Sequence, residues 1–599
     1  MLSTTNKESY SRGSIFDEFS DSKAHSENYN TNIRIEYEWN IDERRSLIVQ
    51  PNVGYTHSFS DSQDSMSIAT DSIITSTKTS DVHRTGDVFN SGLNTTFTQK
   101  SAVKKGRSLQ LTWRGDFSDT ETETLNRSER KSSRDTTNIN QRSINTTNRY
   151  NTALRLLFTE PLWNEKNFLE AAAAFKYTRN TSNKMQYDID DNDNNIDVNK
   201  EYSNDFSNDF FSETMELNFK HKEEKYNFTL GVQGEPSQTQ SLTTYANGTS
   251  REISNDVVNF APRGLFQYNF AKRKSLRFDY RGSTGQPSVN QMQPVKNNSD
   301  LMNETLGNAS LNPAFNHRFG LRYSASEAER FSSFTANLNG NITKDALVTN
   351  SIFDETGKQY TQTVNSLKAP YNITGNVMYN TPLPIKYFSI NTRTTGGYNT
   401  RYGYSKRNIA IIDTENLPLG DLSTTQRFNA GEQLTLKYST NLIEVGLRSS
   451  VNYSDTRNNL NNNTNNRTWD WSETGNLMLR LPKKITFSTD FSYQNRSGYA
   501  EFDRAELIWD ANINMTILKD KGVVSFKATD ILQQRLNIQQ TVGDNYIQYT
   551  ETNALRSYFM LSFTYKINQF SSGTPESNTR RRTPINSSEG SDSSFGGGF

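Results

Sequence analysis

The run DIDDNDNNIDVNKE (Asp188–Glu201) gathers hard oxygen ligands at a spacing that suits calcium. Asp190, Asn192, Asn194 and Glu201 take the first, third, fifth and twelfth positions of an EF-type loop. Asn195 stands where the turn needs glycine, the hydrophobic position is displaced and no helical pattern flanks the run, so a solvated loop is the preferred reading. Five histidines, His25, His57, His83, His221 and His317, are scattered without metal-ligand spacing and read as structural or solvated. The chain has no cysteine, which excludes disulfides, cysteine-based zinc sites, iron–sulfur ligation and thiol chemistry. No G-x-S-x-G, H-E-x-x-H or phosphate-cradling glycine loop occurs, so neither an enzyme nor a cofactor is expected, and nothing points to nucleic acid.

The elements that would carry any site are strands. Hydrophobic residues make up 32% of the 599 residues, below the about 45–50% usual in globular chains, and mean hydropathy is -0.82. Yet 28 Tyr, 34 Phe and 6 Trp in a chain of zero net charge are too many for disorder. The aromatics sit in period-two stripes. Ile33, Ile35, Tyr37 and Trp39 alternate with Arg34, Glu36 and Glu38; Leu109, Leu111 and Trp113, then Leu276, Phe278 and Tyr280, and finally Phe559, Leu561, Phe563 and Tyr565 repeat the pattern. Short connections at 40–45, 100–106, 160–166, 221–225, 271–275, 324–330, 381–386, 440–442, 482–484 and 518–522 alternate with long segments rich in Asn, Ser, Thr and Asp. Examples of the long kind are Asp119–Thr147, Arg179–Asn208 and Gly282–Asn316.

Such alternation describes up-and-down hairpins with two unlike ends. It is the signature of an all-β, transmembrane antiparallel barrel in the outer membrane, with short periplasmic turns and long extracellular loops. Only every second strand residue meets lipid, so so hydrophilic a chain can still span a membrane. No run of about 18 apolar residues and no basic-then-apolar leader is visible. Counting Tyr360–Tyr379 as one long strand gives about 21 strands. An odd count with both remaining ends down implies an upward strand missing before Thr31, hence about 22 in the complete protein. Residues 1–30 are then an extracellular loop of a truncated N-terminus, 31–568 the barrel, and 569–599 a disordered periplasmic tail whose Arg580–Arg582 run is solvated. Glu432 and Glu473 fall on outward parity and are placed near the external strand ends, or at a bulge. Trp39, Trp469, Trp471 and Tyr565 suit interfacial girdles.

The barrel residues resemble a known family. Tyr280, Pro287, Ser288, Gly307, Asn308, Leu311, Pro313, His317 and Tyr323 follow the pattern Y…PS…GNP-x-L-x-PE…H…Y of TonB-dependent receptors of the Bacteroidetes outer-membrane type, with Ala309 and Ala314 in place of the pattern's Pro and Glu. FKATDILQQ (Phe526–Gln534) is similar to the penultimate strand and RSYFMLSFTYKI to the closing one. The resemblance implies 22 strands, a plug domain and a TonB complex as partners, and a possible surface lipoprotein, beside outer-membrane lipid. It implies uptake of a large nutrient and leaves siderophore, glycan, peptide and cobalamin equally open. The rival reading is a non-transporting surface protein whose long loops bind a partner or glycan.

Overall fold

A computed structural model describes residues 2–565 apart from 12–13, 191, 201, 286, 293–295, 309, 408–416, 461–465, 500–502, 536 and 554–556. The first third is β1 (Leu2–Ser11), β2 (Ser14–Arg34), β3 (Tyr37–Asn40), β4 (Arg45–Thr70), β5 (Ile73–Lys100), β6 (Ser108–Ser132), β7 (Thr136–Pro161), β8 (Asn167–Ile189) and β9 (Asn195–Val198). Next come β10 (Asn204–Lys222), β11 (Tyr226–Tyr245), β12 (Ser250–Ala271), β13 (Lys274–Gly285), a single helical turn (Val289–Met292), β14 (Asn297–Asp300), β15 (Asn303–Leu306), β16 (Ala314–Glu327), β17 (Ser332–Lys344), β18 (Leu347–Phe353) and β19 (Gln359–Asn365). The remainder is β20 (Tyr371–Pro382), β21 (Phe388–Arg407), β22 (Asp421–Ser439), β23 (Ile443–Asn458), β24 (Asn466–Leu481), β25 (Ile485–Ser497), β26 (Ala505–Ile517), β27 (Gly522–Thr529), β28 (Asn537–Val542), β29 (Tyr546–Asn553) and β30 (Tyr558–Tyr565).

All of them belong to one sheet. Its wall runs antiparallel through β1, β2, β4–β8, β10–β13, β16, β17, β20–β27 and β30, each hydrogen-bonded to the next. The hairpin β28–β29, which lies between β27 and β30 in the chain, pairs back onto the first strand, Leu2 opposite Asn553 and Ser9 opposite Tyr546. Each of the ten short connections expected from the sequence joins two adjacent antiparallel strands, as at 100–106 between β5 and β6 or 482–484 between β24 and β25. Some are clamped to their neighbours: Glu160 takes Arg107 at 2.6 Å and Lys104 at 2.6 Å, which holds its carboxyl down at about 2.

The period-two stripes become continuous apolar belts because register places them side by side. Phe266, Phe278, Leu321 and Leu338 are successive cross-strand partners, and all four are exposed. Their strand neighbours form the opposite, polar row Gln267, Arg277, Arg322, Asn337 and Asn376. One face is dressed for lipid and the other for water, with no thick core between them. Trp39, Trp469, Trp471 and Tyr565 all lie exposed on the apolar face. Glu432 shares a rung with Val451 and Trp471, and accepts a hydrogen bond from Thr394 at 2.5 Å. It lies seven residues above the end of β22 at Ser439, about 18 Å up a tilted strand and hence in the upper part of a roughly 25 Å band. Glu473 likewise accepts from Ser449 and the Trp471 indole.

Several expectations are corrected. Asp119–Thr147 is not a loop: β6 and β7 continue as a paired ladder from Asp119–Asn148 to Lys131–Thr136, leaving a turn of only three residues. Above the bilayer both faces of a strand meet water, so the ladder persists while the apolar alternation that signals it vanishes. Arg179–Asn208 is also mostly strand, in β8, β9 and β10, whereas Gly282–Asn316 is broken into short pieces, the end of β13, a helical turn, β14, β15 and the start of β16. Residues 2–11 and 14–23 pair as the β1–β2 hairpin, β2 continues through 30, and β1 stands where the external part of the missing upward strand was expected. Tyr360–Tyr379 is two strands, β19 and β20, broken at 366–370, where Pro370 has no N–H to offer a ladder. Residues 566–599, with Arg580–Arg582, lie outside the described residues.

Placing a charge in the lipid-facing row should be costly and placing one in the polar row should not. Leu321→Arg is expected to destabilise the vesicle-inserted protein by roughly 2–4 kcal/mol, and Asn339→Arg, on the opposite parity, by far less. Urea unfolding of both variants in the same vesicles checks this; equal losses would contradict the assignment of faces.

Candidate ligand-binding mouth

The connection between β17 and β20 folds into the hairpin β18–β19 rather than continuing the wall. Its tip, 354–358, is tied by Asp354, whose carboxylate accepts from the Thr356 and Lys358 amides at 2.8 and 3.0 Å. That tip reaches the external ends of β2, β4, β5 and β6. Phe353 stacks on Phe16 at 4.1 Å between centroids, Ser76 Oγ donates to the Thr356 carbonyl at 2.6 Å, Arg130 donates to Thr356 Oγ1, and Arg134 pairs with Glu355. Gly357 has φ +82, and a Cβ there would lie 2.6 Å from Ile68, so no side chain fits. Along the wall β2 is separated from β17 by β4–β8, β10–β13 and β16. The hairpin therefore crosses the mouth from wall to wall.

Its stem is held by the segment that carries the family motif. β15 pairs in parallel with β19 from Asn303–Gln359 to Leu306–Gln362, and β18 pairs in parallel with β21. Asn308 donates to the Thr363 carbonyl at 3.0 Å, Gln362 donates to the Gly307 carbonyl at 3.2 Å, and Leu311 is fully buried. Asn365 closes the joint, accepting from the Asn312 amide and donating to the Asn312 and Asp345 carbonyls. Lys358–Glu304 at 2.9 Å and Lys78–Asp300 at 2.7 Å fasten the same segment to hairpin and far wall. Ser288 caps the short helical turn through Gln291 and Pro287 precedes it, while Pro313 leads into β16. Tyr280 and His317 sit apart from this cluster, on the outward face, joined by a 2.9 Å hydrogen bond; Tyr323 lies lower on that face beside Phe270 and Phe334. The structure thus brings Gly307 and Asn308 to the hairpin, buries Leu311 close by in sequence, and leaves Tyr280, His317 and Tyr323 on the wall.

A second hairpin, β28–β29, roofs the adjoining sector. Ser423 and Thr425 hydroxyls donate to the Asp544 carbonyl at 2.9 and 2.8 Å, and Tyr10, Tyr499, Val542, Ile547 and Tyr549 form a small buried cluster beneath it. Burial pushes the Asp544 carboxyl above its ordinary 3.8, only partly opposed by Arg401.

The calcium candidate has another employment. The Asp190 carboxylate accepts from the Asn192 and Asn194 amides at 2.9 and 2.8 Å and from the Asn194 side chain at 3.0 Å, so it ties its own turn, and these donors lower its pKa. Asp193 pairs with Arg127 at 2.5 Å, and Glu201 lies outside the described residues. The histidines are less scattered than the sequence suggests. His25, Asp61 and His83 are direct partners across β2, β4 and β5, with His83–Asp61 at 2.5 Å, and His57 pairs with Asp87 at 2.9 Å on the same face. Only strand register brings them together. Among the described residues no group of three or more such side chains could hold a metal ion. His221 bonds Asn167 at 2.6 Å and packs on Tyr226 and Phe228.

A family model described as the outer membrane protein beta-barrel family matches residues 100–445 and 425–565. The chain belongs to the outer membrane protein beta-barrel family. Its place is the outer membrane, and lipid is the solvent of its outward rows. Similar solved structures include the siderophore receptor PirA from Pseudomonas aeruginosa, at 11% identity over 93% of this chain and 80% of that one, TM-score 0.40. The outer membrane transporter YddB from Escherichia coli aligns at 9% identity over 94% of this chain and 80% of that one, TM-score 0.43. The hemophore receptor HasR from Serratia marcescens, in a complex with its hemophore HasA and heme, aligns at 8% identity over 93% and 80%, TM-score 0.45. No curated protein matches.

Two outcomes are expected at this barrel's mouth. Phe353→Ala removes the buried ring stacked on Phe16 and should loosen the hairpin by about 3 kcal/mol, read as faster cleavage after Glu355 by a glutamate-specific protease. Because the Asp544 pKa is raised on folding, its stabilising protonated form is lost as pH rises through that pKa. The β28–β29 hairpin should therefore resist proteolysis better at mildly acid than at neutral pH, and Asp544→Asn should flatten that difference.

Proposed function

We propose that the chain is the β-barrel portion of a TonB-dependent receptor-like outer-membrane transporter that takes up a large nutrient. Its partners in that reading are a plug domain and the TonB complex. The observation that carries it is the β18–β19 hairpin spanning the mouth and pinned on both walls by polar contacts. A wall built only to display loops gains nothing from folding one of them across its own lumen. A pathway for cargo must keep that lumen closed to bulk exchange and yet be able to open. Apart from the Phe353–Phe16 stack, its contacts are hydroxyls, carbonyls and ion pairs, which can be exchanged for water, so the hairpin can be released without unfolding the wall. The ladder between β17 and β20 is continuous from Ser333–Asn380 to Ile342–Tyr371, so lifting the hairpin leaves the wall paired.

The absence of native cysteine makes the test clean. Ser76→Cys combined with Thr356→Cys, joined by a short cleavable bis-maleimide, locks the hairpin to β5. Liposomes carrying the locked protein should swell several-fold more slowly in large sugars than after the linker is cleaved. Equal swelling before and after cleavage contradicts gating by this hairpin and favours a surface protein that does not transport.

A further inference from the structure

Register brings five arginines onto one stretch of the polar wall. Arg263 on β12, Arg281 on β13 and Arg318 on β16 are direct cross-strand partners. Arg277 and Arg322 are direct partners on β13 and β16, four residues nearer the periplasmic turns. All five alternate with the exposed lipid-facing Phe266, Phe278, Phe319 and Leu321, which puts them on the lumen side. Adjacent strands lie about 4.8 Å apart and residues rise about 3.3 Å, so the five are anchored within roughly 10 by 13 Å.

Like charges directly opposite on neighbouring strands destabilise a sheet. The carboxylates that face this patch are Asp279, Glu216 and, through its interaction with Arg281, Glu235 on β11, fewer than the arginines. Asp279 lies between the two rows, 3.5 Å from Arg277, and faces Gly320, which adds no side chain. Glu216 is shared, 3.6 Å from Arg263 and 3.3 Å from Arg155. Arg281 and Arg322 have no carboxylate within 4.0 Å among the described residues. A low-dielectric wall lined by one sign of charge concentrates the field of such a patch. Planar guanidinium forks are shaped for bidentate capture of carboxylate or phosphate.

We propose that this β12–β13–β16 patch is a lumenal station for the cargo, and that the cargo is a multiply charged oxyanion bearing two or more carboxylate or phosphate groups. This rests on the transporter reading and names its substrate class. Monovalent anions bridge one arginine pair at most, whereas an oligoanion can engage both rows at once.

The test uses the full chain in detergent, titrated calorimetrically at low ionic strength with citrate, with pyrophosphate and with acetate. Saturable binding of citrate, pyrophosphate or both is expected, the pair separating carboxylate from phosphate preference, with acetate much weaker. The double variant Arg281→Gln/Arg322→Gln should weaken it by about tenfold or more, while Arg448→Gln, lumenal on β23 away from the patch, should not. Arg281→Lys/Arg322→Lys keeps the charge but not the fork and should weaken binding less than the Gln pair, which guards against a variant that simply fails to fold; heat-dependent gel mobility verifies the barrel in each. Absence of saturable binding, equal affinity for acetate, or equal weakening by Arg448→Gln would overturn the proposal. These results are independent of the hairpin lock. Anion binding with no effect of the lock on swelling would sink transport and keep the site, and the reverse pattern would sink the site and keep transport.

Discussion

Hydrocarbon offers no hydrogen-bond partner, so every backbone N–H and C=O within it must be met by another strand. The rest of this structure follows from that constraint. It demands a ladder that runs without interruption from β2 to β27 and β30, and it demands that the two ends of the sheet be joined. At the external end β1 is met by β29 of the β28–β29 hairpin. Below Leu2 the picture changes: residues 24–34 of β2 pair only with β4, and β30 pairs only with β27. These are the two edges at which the described ladder lacks a neighbour, and in lipid each unmet group costs several kcal/mol.

The same ladder is used above the membrane for a different end. From β4 to β8 the strands run 23 to 28 residues, more than twice the about 9–11 needed to cross the bilayer. By contrast β13, β16, β17 and β20 have 12 to 14 residues. One side of the mouth is therefore a tall wall and the other a low one, and the β18–β19 hairpin springs from the low side to lean on the tall one. Backbone pairing sets the height, while side-chain contacts between Asp, Arg, Lys, Ser and Thr set where the hairpin rests. This division gives a rigid cylinder with a polar, exchangeable roof.

What was legible in the sequence is what lipid imposes. The stripes Ile33–Trp39, Leu276–Tyr280 and Phe559–Tyr565, and all ten tight turns, were readable because one face of each strand meets hydrocarbon and the other water. Where that contrast ends, so did legibility. Asp119–Thr147 has no alternation although it is fully paired, because Thr, Glu, Asn and Arg serve equally well on two wet faces. The parallel pairings of β15 with β19 and β18 with β21 join segments tens of residues apart and leave no periodic trace. Motif residues Gly307 and Asn308 were recognisable as part of a pattern, but their task of holding β19 was not. The arginines at 263, 281 and 318, like His25 and His83, become neighbours only through register, which a single sequence does not display.

The central claim is that alternate side chains around one cylinder face lipid and water. Single cysteines introduced from Ile485 to Tyr493 on β25 and carrying spin labels test it directly in reconstituted membranes. Labels at 485, 487, 491 and 493 should show high accessibility to oxygen and low accessibility to a nickel chelate, and labels at 486, 488, 490 and 492 the reverse. A profile without this two-residue period, or one in which the oxygen-accessible face is shielded from lipid in a dry interior, would contradict the account.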